Sequence, residues 1–489
     1  MPDGLEGDTR PAPDLPPSLT SPTADAGRRW LKVDVALLAV VGAGFAFRVF
    51  TLFTVARRNP NAGDPWYYHQ QSRLLTANRG FSEPYTWCRA DLVNATGGCK
   101  GGGKLIATAI HPPLFSMWFA ISNLVGADSW FAHKVMACIA GSLTILFVGL
   151  IGRELAGRRA GLLAAGIAAA YPNLWVIDGI GMPEGLFCAM IAGSIWAAYH
   201  WRRTPTVGWA AATGVALGLA TLTRGEAIFL VPALLVPLVL LRRGLSGRAR
   251  VTHLGVMAGL ALLLLVPWTV RNATRFHDTV LLSTNSAEVL VYANCDAAYH
   301  GRFAGFWVFG CQNDIRRTLP GGEPPGDESQ RANFYRHIGF DYAKHHQSEL
   351  PAVLAARVGR VWDVYRPFQN TELSKIEGRP RWISTLGLWF YWVLLPFAIG
   401  GVVVLHCRRV SLLPVAVQAL GVTVTALYAY GVVRFRAPAE VAVVVLAGIG
   451  MDALMRRRRP VRPGAQEAWA AAVQTDRATD AVPAEGANA

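Results

Sequence analysis

The sequence predicts an all-α polytopic membrane protein, and three observations carry that prediction. The apolar residues fall in blocks long enough to cross a bilayer, the chain is 52% hydrophobic and only 16% charged, and the arginines gather in seams at alternate block boundaries. The formal net charge of +15 therefore reads as orientation in a bilayer. Nucleic-acid binding is set aside, because the basic residues flank the apolar blocks instead of forming one stripe and no recognised binding motif accompanies them.

Taken in order, residues 1–30 are rich in Pro, Asp, Ser and Thr and are expected to form a disordered cytoplasmic tail. The first apolar block, roughly 33–56, follows Arg28, Arg29 and Lys32. It is too long for a secretory h-region and no small-residue cleavage site follows, so it reads as an uncleaved helix. Further blocks lie near 130–151, 160–178, 184–200, 207–223, 226–241, 251–270, 382–405, 410–430 and 438–455, which makes about ten spans by length. The seams Arg153/Arg158/Arg159, Arg202/Arg203, Arg242/Arg243/Arg248/Arg250, Arg408/Arg409 and Arg456–Arg459 all fall on the side of the amino terminus. Both termini are then cytoplasmic in a cell-membrane protein, and the long segments 57–129 and 271–381 face outward.

The apolar piece Pro113–Val125 has only about thirteen residues and reads as a juxtamembrane helix lying along the interface. The segment 271–381 reads as a small mixed α/β unit: "TVLLSTNSAEVLVYANC" is rich in β-branched and apolar residues, and 329–366 has helical spacing. Residues 31–455 thus form one transmembrane domain, and 456–489 a basic, then disordered, cytoplasmic tail. Cys88 with Cys99 and Cys295 with Cys311 each close a short outer loop and are disulfide candidates, the alternative being free thiols. Cys88–Cys99 is the better pair, since Gly-Gly and Asn-Ala-Thr can turn the chain back between them; closure would stabilise by roughly 3 kcal/mol.

One stretch has the look of a nucleotide loop. Gly98 to Lys104 has the glycine and lysine spacing, but Leu105 stands where Ser or Thr would reach magnesium and no strand precedes it, so a flexible loop is the reading. The outer boundary is more informative. It collects Asp64 in "GDPWYY", His111 before two prolines, Glu184 in "GMPEGLF", Arg224 and Glu226 in "LTRGEA", Arg271 in "VRNATRF", and Arg434 and Arg436 in "VVRFRAPAE". Ionisable groups at the rim of a helical bundle are costly unless a wet cavity or a partner receives them. Each also has a plain structural reading. Asp64 before Pro65 is a good N-cap for a helix over about 65–78, with Gly80 as its stop; Glu184 after Pro183 is another cap; the arginines could contact lipid phosphate.

In order along the chain, "GDPWYY", "HPPLFSMWFAI", "IGRELAGRRAGLLAA", "YPNLWVIDGIGMPEGLF", "LTRGEA", "PWTVRNATRF" with "LLSTNSAEVLVYANCDAA", and "RFRAPAE" resemble the GT-C glycosyltransferases of the protein-mannosyltransferase and lipid A aminoarabinose-transferase superfamily, over roughly 35–450. The resemblance implies transfer of a sugar from a polyprenyl-phosphate carrier to an acceptor hydroxyl on the outer face, the acceptor being an envelope glycan, lipid or protein. It carries the general base onto Asp64 and a second acid onto Glu184. His111, Arg224, Arg271, Arg434 and Arg436 become candidates to bind substrate and the donor phosphate, and direct displacement implies inversion. No cofactor is required. A divalent ion such as Mg or Mn could be held by Asp64 and Glu184, with no further ligand cluster beside them. The chain has Gly-Asp where the eukaryotic protein mannosyltransferases have Asp-Glu, which counts against a protein acceptor. The rival class is a lipid or sugar transporter, which would place its ionisable residues at the midplane of two related halves.

Overall fold

The computed structural model describes residues 34–58, 61–88, 99 and 101–457. The expected tail 1–30, the tail 456–489 beyond residue 457, and the Asn-Ala-Thr turn lie outside the described residues.

Each of the ten apolar blocks is helical. The helices that matter below are α1 (Val35–Thr54), α2 (Asp64–Thr76), α3 (Leu114–Asn123), α4 (Trp130–Ala156), α5 (Arg158–Ala170), α6 (Pro172–Ile180), α7 (Glu184–Arg203), α8 (Val207–Thr223), α9 (Leu230–Leu240) and α10 (Gly247–Arg275). They continue with α11 (Asn285–Ala293), α12 (Gly310–Thr318), α13 (Glu328–His345), α14 (Leu350–Val361), α15 (Pro367–Leu373), α16 (Arg381–Cys407), α17 (Leu413–Tyr428) and α18 (Ala437–Arg457). Among the described residues, five helical stretches are long and apolar enough to cross a membrane, namely α1, α4, α10, α16 and Val433–Arg456; the pair α5 and α6, bent by 47°, would make a sixth. The expectation of about ten spans is not met by this measure, because α8, α9 with its 3-10 lead-in from Gly225, and α17 are shorter, and α7, though 20 residues long, is not among the helices that pass. The bend falls where Pro172 opens α6, since proline cannot donate the hydrogen bond that would continue α5.

The mixed α/β expectation for 271–381 is corrected. Among the described residues there is no strand, only the isolated bridge Ser82–Ala107. "SAEVLVYA" forms α11, whose Val289, Leu290, Val291 and Ala293 are buried. Its packing partner is α13, where Gly339 has no side chain and lets the α11 backbone at Leu290 approach. Tertiary packing overrides the β-branched composition. The juxtamembrane helix expected over 113–125 is α3, packed on α2 through Tyr68, Phe115 and Phe119. Cys88 is joined to Cys99, and Cys295 to Cys311, by disulfides.

One core runs through α4, α5, α7, α8, α9, α10, α16, α17 and α18, with Ile145, Ile191, Trp201, Leu234, Met257 and Val444 among its buried residues. α16 and α18 touch backbone to backbone: a methyl group at Gly401 would overlap the Leu446 carbonyl, and one at Gly450 the Phe397 carbonyl. Small residues permit this approach, which is how helices gain packing energy in lipid. Arg48 of α1 and Asp178 of α6 are both almost wholly buried, and Arg48 Nε meets Asp178 Oδ2 at 2.8 Å. That pair fastens the bent helix to the first one.

Candidate active site

Gly63 holds φ at 68°, a conformation that costs glycine little, and the chain turns there into α2. The turn makes Gly63, not Asp64, the N-cap residue, and no side chain caps the helix. The capping role expected for Asp64 is therefore not filled, and its carboxylate is left to other partners. Oδ1 lies 3.6 Å from His111 Nε2 and Oδ2 lies 3.4 Å from Arg434 Nη1. The helix ends at Thr76, short of Gly80.

His111 sits with its ring 4.9 Å from the rings of both Tyr67 and Tyr68. The loop that carries it is fixed from the outer helices: Ala109 N–H donates to Glu328 Oε1 at 2.8 Å, and Thr284 N–H donates to the Ala109 carbonyl at 2.9 Å. Glu184 is likewise no cap. It begins α7 after Pro183 without a side-chain capping bond, is fully buried, and is paired with Arg224 and with Arg434, whose Nε lies 3.2 Å from its Oε1. Arg224 also pairs with Glu226 and lies over the Phe435 ring at 5.6 Å.

Five expected residues, Asp64, His111, Glu184, Arg224 and Arg434, thus converge from separate parts of the chain, and two do not. Arg271 donates to the carbonyls of Thr108 at 2.8 Å and Phe81 at 2.7 Å, and lies over Trp268. Its donors brace the His111 loop. Arg436 is fully buried between Asp363 at 2.9 Å and Glu440 at 2.7 Å, over the Tyr391 ring at 3.6 Å. Those two carboxylates balance its charge away from Asp64.

A residue missed in the sequence completes the cluster. Glu377, on the 3-10 turn Ser374–Glu377, lies 3.5 Å from Arg434 Nε. Lys375, Arg379 and Arg381 flank it in "SKIEGRPR". This basic run stands immediately before the 382–405 block, at the boundary away from the arginine seams, and the argument applied to Arg434 would have found it.

Burial alone would raise the Asp64 carboxyl, but contact with His111 and the charges of His111, Arg434 and Arg224 outweigh it and hold the group well below the usual carboxylate range. The residues do not fit a metal ion. Arg434 stands between Asp64 and Glu184, and among the described residues no group of three or more His, Cys, Asp or Glu side chains could hold one.

Two cavities meet at Asp64. The larger, about 750 Å³, has an apolar wall that includes Val55, Trp175 and Ile180 and a basic side formed by Lys375, Arg379 and Arg381. The smaller, about 430 Å³, runs past Arg224 and Glu226 towards Ser283, Arg336 and Tyr428. Asp64, His111, Asn285, Tyr430 and Arg434 line both.

Residues 110–270 match the family profile described as dolichyl-phosphate-mannose-protein mannosyltransferase. No curated protein matches. Among solved structures, the archaeal oligosaccharyltransferase AglB from Archaeoglobus fulgidus, in complex with an inhibitory peptide and a dolichol-phosphate, superposes with a TM-score of 0.51 at 14% identity, covering 92% of this chain and 55% of that one. The apo form of the Archaeoglobus fulgidus oligosaccharyltransferase gives a TM-score of 0.50 at 14% identity, covering 86% and 50%. The chain spans about half the length of these structures.

Proposed function

We propose that this chain, which has the fold of the GT-C glycosyltransferases, is a membrane glycosyltransferase that moves a sugar from a polyprenyl-phosphate carrier to an acceptor hydroxyl on the extracytoplasmic face, with inversion. The observation that carries the reading is the meeting of two cavities at Asp64 and Arg434. The larger cavity, with apolar and basic lining residues, suits a lipid phosphate; the smaller, which shares Asp64 with it, suits the acceptor.

In this reading Asp64 accepts the proton of the acceptor hydroxyl as that oxygen bonds the anomeric carbon. The bond from that carbon to the phosphate oxygen breaks, and polyprenyl phosphate leaves with the electron pair. Arg434, with Lys375, Arg379 and Arg381 behind it, stabilises the charge that develops on the phosphate. Arg434 makes only long contacts, 3.2 to 3.5 Å, with Glu184, Asp64 and Glu377. A phosphate offering shorter charge-assisted bonds draws it off Asp64, which raises the basicity of the carboxylate once the donor is seated. Glu184, locked to Arg224, acts as the second acid that keeps both arginines in place.

The test is release of polyprenyl phosphate from a sugar-loaded carrier by the purified full chain when acceptor is supplied. Asp64→Asn is expected to lower that release by at least about 10²-fold while membrane insertion is retained. Release at the wild-type rate by this variant would remove Asp64 from the mechanism, and movement of the intact carrier without bond cleavage would favour a transporter.

A further inference from the structure

The arginine seams Arg202/Arg203 and Arg242 to Arg250, separate in the sequence, close into one place in the structure. α7 begins with Glu184 in the active site and reaches Arg202 eighteen residues later, about 27 Å away at 1.5 Å per residue. There its end meets the turn after α9 and the start of α10. Arg242 Nε donates to the Arg202 carbonyl at 2.9 Å, and Arg250 Nη2 donates to the Arg242 carbonyl at 3.3 Å. Trp201 and His253 pack edge to face beside them, ring centres 5.6 Å apart, and both are more than nine-tenths buried.

The charges in this cluster are not balanced. Among the described ion pairs none gives Arg202, Arg242 or Arg250 a carboxylate, and the neighbouring Glu154 is taken by Arg203 at 3.1 Å and by His200 at 3.8 Å. The first turn of α10 carries no acid. Arg248 and Arg250 stand there instead, where the helix dipole disfavours cations and attracts anions. Four buried nitrogens in the same place make no hydrogen bond: Arg202 Nη1, Arg250 Nε, Trp201 Nε1 and His253 Nδ1. Buried donors left unpaired are costly, and guanidinium groups packed together without an acid add repulsion. One ligand class answers both, an oxyanion with several acceptor oxygens.

We propose that Arg202, Arg242 and Arg250, with the start of α10, form a phosphate-binding site at the end of the bundle opposite Asp64, occupied by the head group of an anionic membrane phospholipid. The site is independent of the transfer reaction. A phosphodiester there neutralises the cluster and ties α7 and α10, the helices that also carry Glu184 and Arg271, to the bilayer surface.

The experiment is native mass spectrometry of the purified full chain carrying dioleoyl phosphatidylglycerol or dioleoyl phosphatidylcholine, repeated with inorganic phosphate added. Wild-type protein is expected to retain phosphatidylglycerol in preference to phosphatidylcholine. Arg202→Gln with Arg250→Gln is expected to weaken that retention about fivefold per arginine removed. Arg243→Gln with Arg408→Gln, which removes the same charge from exposed seam positions outside the site, should change it far less. Equal losses from the two pairs, or no preference in the wild type, would overturn the site by reducing it to diffuse surface charge. Displacement of the phospholipid by millimolar inorganic phosphate would keep the phosphate site but assign it to a soluble ligand. Arg250→Lys keeps the charge and loses the planar fork, so a partial loss is expected from it even where the double variant does not fold.

Discussion

At the scale of single residues, two arginines two positions apart have different work. The 3-10 turn Val433–Arg436 sends Arg434 into the space shared by both cavities and Arg436 into the closed space between Asp363 and Glu440. Arg434→Gln should therefore cut transfer with little loss of stability, because the carboxylates it leaves keep Arg224, Arg379 and His111 near them. Arg436→Gln takes the cation from two buried acids, which keep only neutral donors, and should cost about 3–5 kcal/mol of stability. Comparing thermal melting with turnover for the two variants checks this, and equal profiles would contradict it. The pH dependence follows from the direction of the Asp64 shift. A carboxyl held below its unfolded value of about 3.9 contributes stability that is present above that pH and is lost as pH falls through the folded value. Asp64 is ionised throughout pH 5–8, so a rate profile should show no acid limb from it in that range. An acid limb near pH 6 that vanishes in Asp64→Asn, measured on its residual rate, would contradict the lowered titration of Asp64 while leaving it as the base. The sequence yielded Asp64, His111, Glu184, Arg224 and Arg434 as rim charges because charge beside an apolar block is conspicuous. It could not separate Arg434 from Arg436 or find the partners of Arg271, since which carbonyl or acid an arginine meets is decided by contacts far away in the chain.

At the scale of elements, the helices were legible because long apolar runs leave the backbone little choice but to satisfy its own hydrogen bonds. The outer segment was not, since α11 owes its form to packing on α13 and its residues alone favour strand. Helix contacts were equally hidden: Gly401 and Gly450 are unremarkable inside apolar runs, yet they set how near α16 and α18 lie. Gly450→Val should push those helices apart and lower thermal stability by about 1–3 kcal/mol, as an overpacked core does. A control at Gly42, which has open space around it, should be nearly neutral. Similar melting temperatures for the two variants would mean that the α16–α18 approach is looser than described.

At the scale of the whole molecule, the arrangement has a direction that the active-site reading needs. Glu184 and Arg202 stand at opposite ends of one helix, so the acid cluster and the arginine seams belong to opposite ends of the bundle. A polyprenyl-phosphate sugar serves an acceptor outside the cell only if the Asp64 end faces outward, and the positive-inside bias of the seams requires the same sidedness. These are separate arguments, one from chemistry and one from insertion, and a single measurement bears on both. In a Cys407→Ser background, which removes the exposed free thiol, Ser348→Cys places a thiol at an exposed position between α13 and α14, and Arg243→Cys places one in the exposed turn after α9. A membrane-impermeant maleimide added to intact cells should label position 348 and reach position 243 only after permeabilisation. The reverse pattern would put the Asp64 cavities on the cytoplasmic side, where nucleotide sugars are at hand and a lipid-borne donor has no chemical necessity. It would also leave the arginine cluster facing outward, against the insertion rule that reads its charge as inner. Sidedness is thus the property on which the donor class and the charge pattern stand or fall together.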